Sequence, residues 1–89
     1  MMQVEYRKRF LKQLAELPVT VRPKIEQFVF EDLIKANSIF ELGKIEKMQG
    51  YDGFYKVRFG DYRVGLVVKD DLVVLATVMH RKEIYKFFP

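Results

Sequence analysis

The sequence predicts an α+β fold in which an N-terminal strand and a helical hairpin pack on one face of a mainly antiparallel sheet of about four strands. Three observations predict it. Apolar residues recur at helical spacing in the first half of the chain, and from Lys44 onward their period shifts toward two, which is typical of strands. With 89 residues, the chain is long enough for one core, so we expect one domain over residues 1–89.

The first half begins with a strand candidate, MQVE, at residues 2–5. The next stretch, YRKRFLKQLAEL, is a predicted helix that Pro18 ends, because proline cannot continue the hydrogen-bond ladder. Thr20 is the predicted N-cap of a second helix, with Pro23 in its first turn. We expect Asn37 and Ser38 to close this helix. Its apolar stripe consists of Val21, Ile25, Phe28, Val29 and Leu33.

The second half reads as strands. KIEKM is a short strand candidate, and a GYDG turn follows it. FYKVRF and YRVGLVVK are joined by Gly60-Asp61, a two-residue hairpin signal. A turn at Asp70-Asp71 leads into LVVLATVM, the last long strand. For the tail HRKEIYKFFP, the pattern leaves both a short helix and an extended cap open.

The hairpin turn sets which side chains share a face of the sheet, because directly paired residues point to the same side. It pairs Arg58 with Arg63 and Lys56 with Gly65. The face predicted to bury against the helices carries Tyr55, Val57, Phe59, Tyr62, Val64, Leu66 and Val68. The opposite face carries Phe54, Lys56, Arg58, Arg63, Gly65, Val67 and Lys69.

The same strand pairing, continued through the Asp70-Asp71 turn, places Gly65 opposite Ala76 and Arg63 opposite Val78. His80 then projects on the side of Arg63. The pattern therefore predicts a basic surface above a floor of two small residues, with room for a bound molecule.

Directly opposed like charges destabilise a strand pair, and Arg58 opposite Arg63 is such a pair. An arrangement that costs stability indicates an anionic ligand. The competing interpretation is an ordinary solvated sheet face whose cations are screened by salt.

Composition narrows the possible partners and excludes several kinds of site. The formal net charge of +4 and the pI of about 9.4 favour an anionic partner, either a nucleic acid or an acidic protein. No cysteine and a single histidine exclude disulfides and the usual zinc sites, so we expect no metal and no cofactor. No apolar run is long enough to span a membrane, and charges interrupt MMQVEYRKRF, so we expect a cytoplasmic protein without membrane association.

The segment YKVRFGDYRVGLVVKDDLVVLATVMHRKEIY resembles the RelE/ParE superfamily of bacterial and archaeal toxins, and most closely its RelE-like branch. The matching signature is a basic strand, then GDYRV, two hydrophobic strands and a terminal HRKEIY. The helical hairpin and the ELGKIEKMQG loop agree with it in order and length. The resemblance implies the toxin of a type II toxin-antitoxin system, a ribosome-dependent endoribonuclease (mRNA interferase) that cuts messenger RNA in the ribosomal A site and inhibits translation.

The resemblance also implies which residues act. Lys56, Arg63, Arg81 and Tyr85 match the catalytic set, and Arg58 matches a second cation of the basic strand. Some members carry a further lysine where Phe54 stands here, and others use a histidine or glutamate as base. His80 and Lys47 are the remaining predicted substrate-binding residues; for Lys47, ordinary solubility is the competing interpretation.

Metal-independent RNA cleavage needs a base for the 2′-hydroxyl, cations for the phosphorane and an acid for the 5′-oxygen. We expect Arg58 and Arg63 to bind phosphate, because a guanidinium stays protonated and binds in a bidentate way. Lys56 is a candidate base, since neighbouring cations favour a neutral amine. Arg81 or His80 is a candidate acid, and Tyr85 can stack a base.

The resemblance further implies a cognate antitoxin with an acidic, amphipathic segment, and a toxin-antitoxin hetero-oligomer. That segment is expected to shield the basic face or to displace the C-terminal segment. Two other functions remain open at this point. One is a ParE-like inhibitor of DNA gyrase without nuclease activity, and the other is a non-catalytic module that binds RNA or an acidic protein.

Overall fold

The computed structural model describes residues 2–89 and has a five-stranded mixed sheet at its centre. The strands are β1 (Gln3–Tyr6), β2 (Ile45–Lys47), β3 (Phe54–Phe59), β4 (Tyr62–Lys69) and β5 (Leu72–His80). Their order in the sheet is β1-β5-β4-β3-β2, with β1 parallel to β5 and every other pair antiparallel. The predicted α+β fold is therefore confirmed, with one strand more than the four expected.

The helical hairpin follows β1. Helix α1 (Lys8–Ala15) ends before Pro18, as the sequence predicts. The second arm runs through α2 (Arg22–Gln27), a π-helical turn (Phe28–Asp32) and α3 (Leu33–Lys35). The predicted cap at Thr20 is wrong: Val21 occupies the N-cap, without a side-chain hydrogen bond. Ser38 instead caps a 3₁₀ turn, Ile39–Leu42, by accepting a hydrogen bond from the Phe40 amide.

The main core lies between this hairpin and the inner face of the sheet. Its buried members include the whole predicted apolar stripe of the second helical arm, together with Phe10 and Leu14 of α1. The sheet contributes alternate residues, as period-two strands must. The seven residues predicted for this face all belong to the core or pack against it: Tyr55, Val57, Phe59, Tyr62, Val64, Leu66 and Val68.

The predicted register holds through β3, β4 and the first part of β5, and then shifts. Arg58 is opposite Arg63 and Lys56 is opposite Gly65, as expected. A β-bulge lies between the pairs Leu66–Leu75 and Gly65–Thr77, so Ala76 has no partner on β4. The expected pairings of Gly65 with Ala76 and Arg63 with Val78 are therefore wrong, because one extra residue in β5 exchanges the two faces beyond it.

A second, smaller core covers the outer face of the sheet. The tail forms helix α4 (Arg81–Phe87), which resolves the choice that the sequence left open. Its buried residue Ile84 and the following Phe88 pack with Met48 and Ala76. Partly buried neighbours complete this cluster: Phe54, Val67 and Met79.

Phe88 fills the space above Gly65. A Cβ atom built on Gly65 would lie 2.8 Å from two ring carbons of Phe88. The room predicted above a floor of small residues is therefore occupied by the chain's own tail. Among residues 2–89, no helix is both long enough and apolar enough to cross a bilayer.

Candidate active site

A groove of about 520 Å³ opens on the outer face of the sheet, beside Phe88. We call it the Lys56 groove. It lies where β2 and β3 meet the C-terminal helix, so one wall is sheet and the other is α4 with the residues after it. The lining residues relevant to its chemistry are Glu46, Lys47, Lys56 and Tyr85.

Lys56 and Tyr85 form the central contact of this groove. The Lys56 Nζ donates a hydrogen bond to the Tyr85 hydroxyl over 2.7 Å, and lies 4.7 Å from the centroid of the tyrosine ring. This hydrogen bond is the main reason why the pKa of Tyr85 lies below its usual value of 10.0, and the charges of Lys56 and Arg63 act in the same direction. The Tyr85 side chain is 61% exposed, so its ring and hydroxyl are open to a ligand.

Arg63 is held in place beneath this face. It is buried, and its Nη1 donates to the backbone carbonyls of Gly60, over 2.8 Å, and Tyr62, over 3.0 Å. A guanidinium has five N–H donors, so these two bonds orient the group and leave the others available. The hairpin turn therefore anchors a cation whose charge reaches Tyr85.

Arg58 and Lys47 are both exposed. Arg58 is the strand partner of Arg63, and no carboxylate of residues 2–89 lies within 4.0 Å of its side chain. Lys47 lines the groove and pairs with Asp52 over 3.3 Å. An exposed pair of this kind contributes little stability, so a phosphate can replace the carboxylate at small cost.

The structure does not bring Arg81 and His80 into the Lys56 groove. The Arg81 Nε lies 3.8 Å from a carboxylate oxygen of Asp61, at the hairpin turn. His80 is the strand partner of Tyr62, on the inner side of the sheet, and its Nδ1 accepts the Lys82 amide hydrogen as the N-cap of α4. The expectation that His80 projects beside Arg63 is therefore wrong, and the bulge at Ala76 is the reason.

Comparison with known proteins assigns the chain to a family. A family model described as "ParE toxin of type II toxin-antitoxin system, parDE" matches residues 4–85. The curated Toxin RelE3 of Methanocaldococcus jannaschii is 37% identical over 89 residues, which cover 99% of this chain and 100% of that protein. The chain belongs to the RelE/ParE family of type II toxins.

Solved structures agree with this assignment. In the crystal structure of the RelB-RelE antitoxin-toxin complex from Methanococcus jannaschii, a chain 35% identical to this RelE-family toxin matches it with a TM-score of 0.79. The match covers 96% of this chain and 99% of that one. The isolated E. coli RelE toxin, at 24% identity, matches with a TM-score of 0.69 over 97% and 93% of the two chains, and supports the fold alone. The predicted RelE-like resemblance is confirmed.

Glu46 is the groove residue that the sequence reasoning missed in this RelE-family toxin. It is exposed, lines the groove and is the direct strand partner of Lys56. Predicting Glu46 requires the pairing register of KIEKM with FYKVRF. The sequence leaves this register undetermined, because the loop that contains GYDG is longer than a two-residue hairpin turn. In the register that the structure shows, the carboxylate of Glu46 belongs to the residue paired with Lys56.

Proposed function

We propose that this RelE-family toxin is an endoribonuclease that cleaves messenger RNA in the A site of the ribosome and so inhibits translation. The observation that supports the proposal best is the Lys56 groove. It joins an ammonium from β3 and a phenol from α4 in direct hydrogen-bond contact, with the anchored guanidinium of Arg63 close by. A site of this composition suits a phosphodiester, which needs both cations and a proton acceptor.

The proposed reaction uses the nucleophile that RNA itself provides. The ribose 2′-oxygen attacks the adjacent phosphorus, and the bond from phosphorus to the 5′-oxygen breaks. The products are a 2′,3′-cyclic phosphate and a 5′-hydroxyl. The enzyme must accept the 2′-hydroxyl proton, stabilise the negative phosphorane and protonate the 5′-oxygen. Because side-chain cations supply the positive charge, this reaction needs no metal ion.

We assign the proton transfers to Lys56 and Tyr85. The lowered pKa of Tyr85 makes its phenolate more available as an acceptor for the 2′-hydroxyl proton. The Lys56 ammonium, 2.7 Å from that oxygen, then stabilises the phosphorane and donates a proton to the 5′-oxygen. Glu46, across the strand pair from Lys56, is the second candidate base. The exposed ring of Tyr85 also offers a surface on which a base can stack.

The remaining cations are proposed to bind phosphate. Arg63 contributes a fixed charge beneath the scissile group. Arg58 and Lys47 are exposed beside it and bind flanking phosphates. Arg81 takes part by exchanging Asp61 for a phosphate, which the long and exposed ion pair permits.

For His80 we propose a positioning role. Its ring caps the start of α4 and thereby fixes the helix that carries Tyr85.

We also propose that an antitoxin neutralises the protein in a hetero-oligomer. The M. jannaschii complex described above contains a RelB antitoxin bound to its toxin. The antitoxin of this chain is expected to present an acidic, amphipathic segment. The Lys56 groove offers both the cations and the neighbouring apolar residues of the second core to such a segment.

A reconstituted translation reaction tests the nuclease proposal. The wild-type protein is expected to cut ribosome-bound messenger at defined positions, mapped by primer extension. Lys56→Ala is expected to reduce cleavage by about 10²-fold or more, in the range for lost acid–base catalysis. Tyr85→Phe keeps the stacking surface and removes the hydroxyl, so it separates the two roles of Tyr85. Lys69→Ala, which removes an exposed lysine at the far end of β4, is the matched control.

Two results would contradict the proposal. If the protein leaves messenger intact but inhibits DNA supercoiling by gyrase, it acts as a ParE-like toxin. If it does neither while binding RNA, it is a binding module. Full cleavage by Lys56→Ala and Tyr85→Phe would show that the assigned residues are wrong even if the activity is present.

A further inference from the structure

A second groove lies on the same face of the sheet, on the other side of the tail. It has a volume of about 290 Å³, and we call it the Arg9 groove. Two cations line it, Arg7 at the N-cap of α1 and Arg9 in the first turn of that helix. The other lining residues are Phe54, Ala76, Thr77, Phe87, Phe88 and Pro89.

The two arginines are available to a ligand. Both are exposed, and no carboxylate of residues 2–89 lies within 4.0 Å of either guanidinium. Arg7 occupies the N-cap position without using its side chain as a cap. Neither charge is therefore committed to holding the fold.

An aromatic ring is exposed beside these cations. Phe87 is 58% exposed, although the adjacent Phe88 is only 7% exposed. The two residues therefore differ in role: Phe88 closes the second core, and Phe87 presents an apolar surface to solvent in the groove that Arg7 and Arg9 also line. Guanidinium groups together with an exposed ring are the combination that binds single-stranded nucleic acid, where cations follow the backbone and rings stack on bases.

The Arg9 groove is adjacent to the Lys56 groove. Phe88 and Pro89 line both, so only the tail separates them. A third concavity, near the end of β4, is lined by Asp70 and Asp71 and would repel phosphate. The cationic path therefore runs across the outer face of the sheet, from Lys47 and Lys56 over the tail to the arginines.

We propose that the Arg9 groove binds the phosphate backbone of messenger RNA next to the segment that is cleaved, with Phe87 stacking on a base. This inference rests on the proposed nuclease function, because it treats the Lys56 groove as the place where the scissile phosphate binds. Its position next to that groove favours the messenger over ribosomal RNA as the bound strand. The two grooves together then bind the nucleotides on either side of the scissile phosphate and also further nucleotides of the same strand.

The test uses RNA that cannot be cut, with every 2′-hydroxyl methylated, in a short form of about four nucleotides and a form twice as long. Binding to the full chain is followed by fluorescence anisotropy over a range of salt concentrations. Arg7→Ala/Arg9→Ala is expected to weaken binding of the long form by about tenfold or more and to reduce its salt slope by about 1.4, since each lost phosphate contact removes about 0.7. Binding of the short form is expected to be unchanged.

The matched control is Lys8→Ala/Lys12→Ala, which removes two exposed cations of the same helix that do not line the groove. It is expected to lower the long-form affinity much less than the arginine variant. Phe87→Ala is expected to weaken the long form without changing the salt slope, because stacking releases no counterions. Thermal unfolding of each variant checks that the fold is intact.

The proposal is overturned if the arginine variant binds the long form like the lysine control, or if the arginine variant loses the short and long forms equally. If it binds both forms normally but sediments less with ribosomes that lack messenger, the groove serves ribosomal RNA and the messenger assignment is wrong. If messenger cleavage persists while the arginines have no effect on binding, only this inference fails. If the wild-type protein neither cuts ribosome-bound messenger nor binds either form of RNA, both proposals fail together.

Discussion

Replacing Gly65 with alanine tests how the C-terminal tail is held against the sheet. The new Cβ would lie 2.8 Å from Cδ2 and Cε2 of Phe88, and 3.0 Å from its Cζ. Carbon atoms in ordinary contact are about 3.5–4.0 Å apart, so the ring must retreat by about 1 Å or leave its site. Overpacking of this kind costs about 1–3 kcal/mol. If the ring leaves its site completely, the free energy of unfolding falls by a similar amount at most, since burying a phenylalanine contributes about 1.5–3 kcal/mol.

A double-mutant cycle gives this prediction its control. In a Phe88→Ala background the obstructing ring is absent, so Gly65→Ala is expected not to destabilise the protein, because glycine inside a strand is itself less stable than alanine by about 0.5–1 kcal/mol. The two substitutions should then show a coupling energy of about 1–3 kcal/mol. Urea unfolding followed by circular dichroism measures each corner of the cycle. Equal costs of Gly65→Ala in both backgrounds would refute the reasoning, because they would place the strain in β4 itself.

Four further predictions concern the site and its support. Lys56→Met is expected to raise the pKa of Tyr85 toward 10.0, measured from the phenolate absorbance after subtracting a Tyr85→Phe titration; an unchanged pKa would contradict the hydrogen bond. In the wild type, the folded state releases this proton before the unfolded chain does. The stabilisation from Tyr85 therefore grows as pH rises through the lowered pKa and is complete above 10.0, and Tyr85→Phe should remove this rise in urea-unfolding stability. Arg81→Ala is expected to cost less than about 1 kcal/mol in urea unfolding, because its pair with Asp61 is exposed, and a larger loss would show that the pair is structural. Ile84→Ala should cost about 2–5 kcal/mol, since Ile84 is fully buried on the sheet-facing side of α4, and a small loss would mean that the second core relaxes.

The sequence predicts the hairpin of β3 and β4 to the residue. Gly60-Asp61 specifies a two-residue turn, and Gly60 adopts a φ of 59°, which glycine permits without strain. Once the turn is fixed, alternation assigns every side chain of the two strands to a face. The placement of Lys56 and Arg63 on one face of the sheet is therefore foreseeable.

The contribution of β5 and α4 to the site is less foreseeable. The run LVVLATVM alternates too weakly around Ala76 and Thr77 to reveal a bulge, because both residues are small and both are buried. The two phenylalanines of the tail also look alike in sequence. Only tertiary packing decides that Phe88 turns onto Gly65 while Phe87 stays exposed.

The position of the groove follows from this packing. Phe88 closes the space above Gly65, so the open volume lies nearer β2, where Glu46 faces Lys56. A short strand joined through a long loop leaves its register undetermined at the sequence level. For this reason the position of Glu46 beside Lys56 is known from the structure and could not be predicted from the pattern.

The unpaired residue of β5 also affects how relatives can be aligned with this chain. Ala76 sits between Leu75, which faces Leu66, and Thr77, which faces Gly65. A homologue that lacks the extra residue must receive a gap at this point, or its terminal histidine and arginine will be matched to positions on the wrong side of the sheet. Deleting Ala76 would accordingly move each later residue of β5 to the opposite face of the sheet and would change the direction in which α4 begins. Substituting Ala76 would change neither.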